Sequence, residues 1–485
     1  MVGMNSDHSP APFTPDVARV LLTVSVAFVV TQLDVTIVNI ALPSIGSRLH
    51  APVSVLQWIV DAYTLAFAVL MLSAGVLGDR FGARRLFASG LGLFAIASVA
   101  CGLAPNALAL VAARAIQGVS AAAMLPNSLA LLNQACRHDP HLRARAVGLW
   151  TASGAISIAA GPVLGGILIA TWGWRSIFLV NLPICLAGLA ATYAWIPRRE
   201  EQAAHAPRTS IGVDLPGQVI AIVALTAFTA AVIEMRPLGA SHPLIVGALI
   251  GSVLAGIAFV AVEARSGAPM VPLALLRDKT FSAAVAFGIC VNMAYYGTVF
   301  VLSLFLQRVR AETPLQAGLA FLPLTGGFLL SNVASGWVVA RYGPRRPMMI
   351  GAVVGALGYA LLHFTQAGTP LVAMLLPFLL IPAGMGLAVP AMTTAVLASV
   401  EPKRAGTASA LLNTARQAGG AVGVAAFGAL ASGAGTAPVV SGMRISAAVA
   451  AALLFAGLLL ATLVHPEAHT RKGAAKEAQR ESTGR

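Results

Sequence analysis

The sequence predicts an all-α polytopic membrane protein with about fourteen spanning helices, and three observations carry that prediction. Of its 485 residues, 58% are hydrophobic and 10% charged, with a mean hydropathy of +0.84; a water-soluble chain of that length needs far more polar side chains to cover its surface. The apolar residues fall in runs of roughly 20 or more, the length a helix needs to cross a hydrocarbon core about 30 Å thick. The runs show no period-two alternation, so they read as helices rather than barrel strands.

In chain order the first six runs lie near 17–42, 54–78, 86–104, 107–132, 145–170 and 176–196. A polar linker from Pro197 to Ser210 follows, carrying Arg198, Arg199, Glu200 and Glu201. Two more runs lie near 214–235 and 243–262, and a loop with Arg265, Arg277, Asp278 and Lys279 leads into six others near 280–306, 314–340, 346–366, 370–397, 405–431 and 442–464. The organisation this implies is a tail (1–16), a six-helix bundle (17–196), a linker (197–213), an inserted helix pair with its connecting loop (214–279), a second six-helix bundle (280–465) and a tail (466–485). Both tails are polar and are expected to be disordered. The first run is long enough to span and lacks the short apolar core and cleavage site of a signal peptide, so it is expected to remain as a helix.

The net charge of +14 would suggest nucleic acid in a soluble protein. Here the basic residues sort by side of the membrane instead. An even span count puts both termini on one side, and that side collects Arg19, Arg80, Arg84, Arg85, Arg137, Arg143, Arg145, Arg198, Arg199, Arg208, Arg265, Arg277, Lys279, Arg341, Arg345, Arg346, Lys403 and Arg404. The other side receives Arg48, Arg175, Arg236, Arg308, Arg310 and Arg444. By the positive-inside rule both termini are cytoplasmic, in an inner (cytoplasmic) membrane with lipid around the helices, and no nucleic-acid partner is expected. The four cysteines, Cys101, Cys136, Cys185 and Cys290, have no metal or redox spacing and read as small packing residues; no metal site is expected.

The loop after the second run, Gly75 to Arg85, matches the loop after the tenth, Gly336 to Arg346, position for position at an offset of 261 residues. The chain is therefore six helices, an inserted pair, and six helices that repeat the first six. The first loop reads G-x-L-x-D-R-x-G-x-R-R (Gly75, Asp79, Arg80, Gly82, Arg84 and Arg85). Around it stand L-D-x-T-I-V-N-x-A-L-P at Leu33–Pro43, R-x-x-Q-G at Arg114–Gly118, G-P-x-x-G-G at Gly161–Gly166, and the stretch from Trp174 through Arg175, Phe178 and Asn181 to Pro183. With these motifs in this order, the chain resembles the major facilitator superfamily, in particular its fourteen-helix drug:proton antiporters. That resemblance covers nearly the whole chain. It implies two six-helix bundles of the major facilitator fold, a multidrug or antibiotic-resistance exporter, and a chain that works as a monomer.

Three ionisable residues lie inside spans of the first half: Asp34, Asp61 and Arg114. Counted from the nearest outer helix end at 1.5 Å per residue, each lies roughly 10–14 Å deep, so they are expected to share one polar layer. An unpaired charge there costs at least a few kcal/mol. Asp34 is the leading candidate proton carrier and Asp61 the second. The resemblance puts Arg114 beside the coupling site, with Gln117, Gly118 and Ala121 on its helical face. A fixed ion pair that only braces two helices remains the alternative.

The fifth span carries Gly154, Ser157, Gly161 and Gly165 on one small face, followed by Gly166, and Pro162 removes a backbone donor there. By resemblance this glycine-proline helix marks exporters. The thirteenth span has a looser set, Gly419, Gly420, Gly423 and Gly428, after Asn413, Arg416 and Gln417. The Gly75–Arg85 loop is expected to act as a cytoplasmic latch, Asp79 docking on the opposite half. At the 261-residue offset Asp34, Asp61 and Arg114 fall on Tyr295, Leu322 and Leu375, so proton handling is expected in the first half. Candidate cavity residues are Tyr63, Asn127, Asn292, Tyr295 and Asn413. With no acid in the second-half spans, a small lipophilic cargo, neutral or monocationic, is expected. Glu234 and Glu263, at the ends of the inserted pair, read as solvated charges.

No nucleotide loop of the G-x-x-x-x-G-K-[ST] kind, no H-E-x-x-H and no G-x-S-x-G occurs, so neither an enzyme nor direct ATP drive is indicated. No cofactor is expected, and the proton gradient would supply the energy. A proton-coupled importer, a dedicated metabolite exporter, and a non-transporting membrane sensor or scaffold stay open as alternatives.

Overall fold

The computed structural model describes residues 14–137, 139–197, 214–267, 269–401, 404–433 and 435–465. Apart from residues 14–16 and 197, the expected tails and linker lie outside the described residues. Helices account for nearly all of what is described. They are α1 (Pro15–Arg48), α2 (Val53–Phe81), α3 (Ala83–Gly102), α4 (Ala107–Ala135), α5 (Pro140–Trp172), a short α6 (Ser176–Leu179) and α7 (Asn181–Trp195), then α8 (Leu215–Leu238), α9 (Pro243–Arg265) and a short α10 (Leu273–Leu276). The second set is α11 (Lys279–Leu304), extended by a π-helical turn at Phe305–Val309, then α12 (Pro314–Ala320), α13 (Leu322–Tyr342), α14 (Arg345–Leu362), α15 (Leu371–Ala398), α16 (Ala405–Leu430) and α17 (Ala437–Thr462).

Twelve of these segments, counting α6–α7, α11 with its π turn, and α12–α13 as one each, are long and apolar enough to cross a membrane. The other two long helices, α14 and α16, fill the remaining places of the second set. The first opens on Arg345 and Arg346, and the second is built of Ala, Gly and polar residues such as Asn413 and Arg416. Those residues lower their hydropathy without removing them from the bundle.

Helix starts follow capping chemistry. Thr14 accepts from Val17 N with Pro15 at the first helical position, Asn106 accepts from Ala109 N at 2.9 Å, Asp278 accepts from Phe281 N at 2.8 Å, and Thr313 with Gln316 forms a capping box. The internal repeat is visible in the backbone. Residues 53–81 shifted by 261 give 314–342, the bounds of α12–α13. Gly82 ends α2 at φ 96° and Gly343 ends α13 at φ 70°. Both are in the left-handed region that glycine enters without strain, so the two loops turn alike. The packing repeats too: α1 on α5, α2 and α3 on α4, and α3 on α7 correspond to α11 on α16, α13 and α14 on α15, and α14 on α17.

The inserted pair is hydrogen-bonded to the first bundle. Gln218 of α8 donates to Val69 O at 2.8 Å and accepts from the Ser73 hydroxyl; Glu234 accepts from Trp58 Nε1 at 3.1 Å. Those contacts place α8 along α2, where it also packs on α16 across the seam between the bundles. Neither acid of the pair is simply solvated, as the sequence suggests. Glu234 is held by Trp58, and Glu263 is 2% exposed and accepts from Val271 N at 3.1 Å. A helix-end position does not reveal that a loop folds back over it. The other helix of the pair, α9, is the least buried of the spans, its residues mostly half-buried or exposed.

Residues 14 and 465 lie on one face of the molecule, here the terminal face. The hydrogen bonds that join the two six-helix bundles directly, among the described residues, all lie toward the opposite face. Gln57 Nε2 donates to Val424 O and Ala425 O at 3.1 and 2.6 Å, Ser303 Oγ to Asn39 O, Gln307 Nε2 to Ile40 O at 2.9 Å, and Thr325 Oγ1 to Ala159 O at 3.5 Å.

Candidate functional site

Asp34 and Arg114 meet. They come from the middle of α1 and the second turn of α4, are each 1% exposed, and form an ion pair between Asp34 Oδ2 and Arg114 Nη1. A buried ion pair needs hydrogen bonds for its remaining donors and lone pairs, and neighbouring groups supply several. Arg114 Nε donates to Ile59 O at 3.1 Å and Nη1 also reaches Gln117 Oε1 at 2.7 Å. Gln117 Nε2 donates to Asp34 Oδ1 at 3.1 Å and to Ser98 Oγ at 2.9 Å. Asn181 Nδ2 donates to the same Asp34 oxygen at 3.2 Å. The Arg114 guanidinium lies 4.3 Å from the Tyr63 ring centroid and 5.9 Å from that of Phe178, within cation–π range. Asp34 therefore only accepts, from three side chains on two other helices, in a buried position.

Ser98 and Asn181 belong to this network without having been singled out. The signal for Asn181 was present: it is an amide inside an apolar run and part of the quoted sixth-span stretch. Nothing in the sequence marks Ser98.

Asp61 does not join them. It is fully buried, and neither carboxyl oxygen has a hydrogen-bond partner among the described residues. The reason is azimuth. On α2, Ile59 and Tyr63 face Arg114, and two residues either way turn the helix by about 200°. Asp61 thus lies on the far flank, where Gln57, one turn away, reaches α16. The expected single polar layer holds in depth for Asp34 and Arg114, but α2 itself separates Asp61 from the pair.

The glycines of α5 divide between two partners. A Cβ at Gly154 would enter the Phe28 ring, one at Gly161 the Thr36 side chain, and one at Gly165 would stand 3.5 Å from Ile37 Cα, so this face seats α5 on α1 beside Asp34. Gly166 turns to the other bundle, where an added Cβ would lie 2.7 Å from Leu315 Cα. A Cβ added at Gly318 would meet the Pro162 carbonyl oxygen still more closely. This span therefore links the carboxylate's helix to the second bundle.

Within the loop from Gly75 to Arg85, the partners seen for Arg80 and Arg84 lie in the first bundle. Asp79 is exposed and has no ion pair among the described residues. Arg80 lies over Phe81, and Arg84 is spent within its own bundle, 3.5 Å from Thr192 O and Tyr193 O. A Cβ added at Gly75 would stand 4.0 Å from the Pro126 Cβ. Asp79 docks on no charged group of the second bundle among the described residues, and the direct hydrogen bonds between the bundles lie toward the opposite face.

The proposed cavity residues scatter. Tyr63 is 1% exposed beneath Arg114. Asn127, also 1% exposed, is a brace rather than a cavity wall: its Nδ2 donates to Ala74 O at 3.2 Å and Ala123 O at 2.8 Å, against Gly78. Tyr295 stacks edge-on with Tyr296 and Phe328 and lines a narrow apolar crevice with Thr298, Leu324 and Tyr359 inside the second bundle. Asn292 is buried and accepts from Arg416 Nε at 3.2 Å. Asn413 is half-buried, three residues before Arg416.

Comparison with known proteins agrees with this architecture. The sequence model of the Major Facilitator Superfamily matches residues 24–424. The chain is 37% identical to a methylenomycin A resistance protein of Streptomyces coelicolor over 84% of each chain. It is 37% identical to the multidrug resistance protein Stp of Mycobacterium tuberculosis, over 82% of this chain and 73% of that one, and 35% identical to a tetracenomycin C resistance and export protein of Streptomyces glaucescens, over 84% and 75%. A crystal structure of a variant of the nucleoside transporter NupG superposes with a TM-score of 0.65 at 13% identity, covering 91% of this chain and 99% of that one, and so shares the fold. The chain is a multi-pass membrane protein, and it belongs to the major facilitator superfamily.

Proposed function

We propose that this chain is a proton-coupled antiporter that exports lipophilic drugs, antibiotics or related metabolites by alternating access. The observation that carries the reading is the Asp34–Arg114 pair, a carboxylate buried among donors only. A proton arriving on Asp34 removes the charge that holds Arg114 and converts an acceptor into a donor facing other donors. The network must then rearrange, and α5, seated on α1 and on α12, carries that rearrangement to the contact between bundles. A local electrostatic event thus biases a two-state element. The export direction is supported by relatives named for resistance and export.

The terminal face is read as cytoplasmic and the membrane as the inner one, from the basic residues on that side. The conformation described is then closed outside and unlatched inside, the arrangement that loads cargo from the cytoplasm. Asp61, buried with no hydrogen-bond partner among the described residues, remains the second proton-carrier candidate, at a separate place. The work is transport rather than catalysis. No cofactor enters, the proton gradient supplies the energy, and a monomer surrounded by lipid suffices.

The test is accumulation of a fluorescent lipophilic dye in efflux-deficient cells, with and without an uncoupler. Uncoupler-sensitive lowering of dye by the wild type supports the reading. Dye levels equal to the empty-vector control across a panel of lipophilic dyes contradict it.

A further inference from the structure

The second bundle holds a cation that the Asp34 network does not use. Arg416 is the twelfth of the 26 residues of α16, close to the middle of the span. Its Nε donates to Asn292 Oδ1 at 3.2 Å, and its stem crosses Gly288 of α11, where an added Cβ would lie 3.0 Å from Arg416 Cγ. No carboxylate among the described residues pairs with it. None could come from its own bundle, because the spans 279–309, 314–342, 345–362, 371–398, 405–430 and 437–462 contain no Asp or Glu. Asp34 is taken by Arg114, and Asp61, on the flank of α2 that meets α16, forms no ion pair with Arg416. An intramembrane charge is retained only where something pairs with it, at rest or in the working cycle.

The surroundings show where such a partner would come from. Between Ala408 and Leu430 no residue of α16 is exposed, yet residues 413–418 are all half-buried. The helix is thus enclosed by neighbours and loosely packed at this one level, below the Gln57 contact that seals the opposite face. Asn413 shares a face with Arg416 at i, i+3. The Tyr296 ring stands over Gly420 one turn away, with Cδ2 3.0 Å from where a Cβ would be. Donors converge here: a guanidinium fork with one nitrogen anchored, two amides and a phenol, beside aromatic carbon.

We infer that Arg416, positioned by Asn292 and flanked by Asn413 and Tyr296, is a substrate-recognition site for the acidic group, a carboxylate or similar monoanion, of an otherwise lipophilic cargo. This rests on the export reading for its place in the cycle and revises the expectation of neutral or monocationic cargo. An anchored guanidinium presents its remaining N–H groups in the planar geometry that a carboxylate accepts. A cation would meet repulsion there, and a neutral cargo would leave the charge unpaired. Asp34 and Arg416 then divide the labour: the first bundle carries the proton and the second the cargo's charge.

The test uses purified full-length protein in detergent and three probes of one shape, 2-naphthoate, 2-naphthamide and 2-naphthylmethylammonium, with affinity read from ligand-dependent thermal stabilisation. The expected result is binding of the naphthoate at least about tenfold tighter than of the other two. Arg416→Gln abolishes that preference while leaving naphthamide affinity within about twofold. Arg416→Lys keeps the charge and retains the preference at weaker affinity, which separates lost recognition from lost folding. Equal binding of acid and amide, preference for the ammonium probe, no naphthoate-specific stabilisation, or an unchanged preference in Arg416→Gln each overturn the inference. Binding that depends on Arg416 in a protein that exports no dye would uphold the site and contradict the export reading, so the two fail separately.

Discussion

Asn181 on α7 and Gln117 on α4 donate to the same oxygen of Asp34, at 3.2 and 3.1 Å. Three helices are thereby tied to one carboxylate. Removing one donor leaves the ion pair but loosens its geometry, so Asn181→Ala is expected to fold and to export dye several-fold more slowly than the wild type at equal expression. An unchanged rate would make Asn181 a packing residue only.

Arg114 supplies Nε to Ile59 O and Nη1 to both Asp34 and Gln117, a planar pattern that an ammonium group cannot reproduce. Arg114→Lys is therefore expected to lose transport by about tenfold or more although the charge is kept. Dye-efflux rates normalised to membrane-protein level check this. Rescue by Lys would mean that only net charge matters.

Much of this was legible in the sequence, and the parts that were not share a cause. Helical spans, the inserted pair and the 261-residue repeat follow from hydropathy and from self-similarity. Depth along a helix is also a one-dimensional property, which is why Asp34 and Arg114 could be placed at one level. Asp61 had the right depth and the wrong flank, because which neighbour each face of α2 meets is set by packing. Asn127 read as a cavity amide for the same reason: nothing local says that Ala74 and Gly78 press against it. Arg416 was visible, but that no acid reaches it required the positions of Asp34 and Asp61.

Gly318 receives the Pro162 carbonyl where the bundles meet. Gly318→Leu cannot close that contact, so the outer side should open more often. In a background without native cysteines, Ser303→Cys, buried at the same seam, is expected to resist a membrane-impermeant maleimide and to label several-fold faster once Gly318→Leu is added. Equal labelling would show that this contact does not hold the outer side shut.

Asn127 of α4 braces α2 with one hydrogen bond, to Ala74 O, and gives a second to Ala123 O of its own helix. Asn127→Ala leaves the buried Ala74 carbonyl without this donor and should cost about 1–3 kcal/mol of stability, read as a lower Tm in detergent. Relative rates for different dyes should stay as in the wild type. A changed dye profile at unchanged Tm would return Asn127 to the cavity wall.

The central claim is that Asp34 exchanges a proton against cargo, and substrate-driven proton movement in proteoliposomes with an entrapped pH indicator tests it most directly. Adding a dye that the wild type exports from cells should move protons in the direction opposite to the dye. Asp34→Asn, correctly folded and still binding dye, should give a signal about tenfold smaller or none. Proton movement at the wild-type rate in Asp34→Asn would contradict the account and place the coupling elsewhere in the molecule.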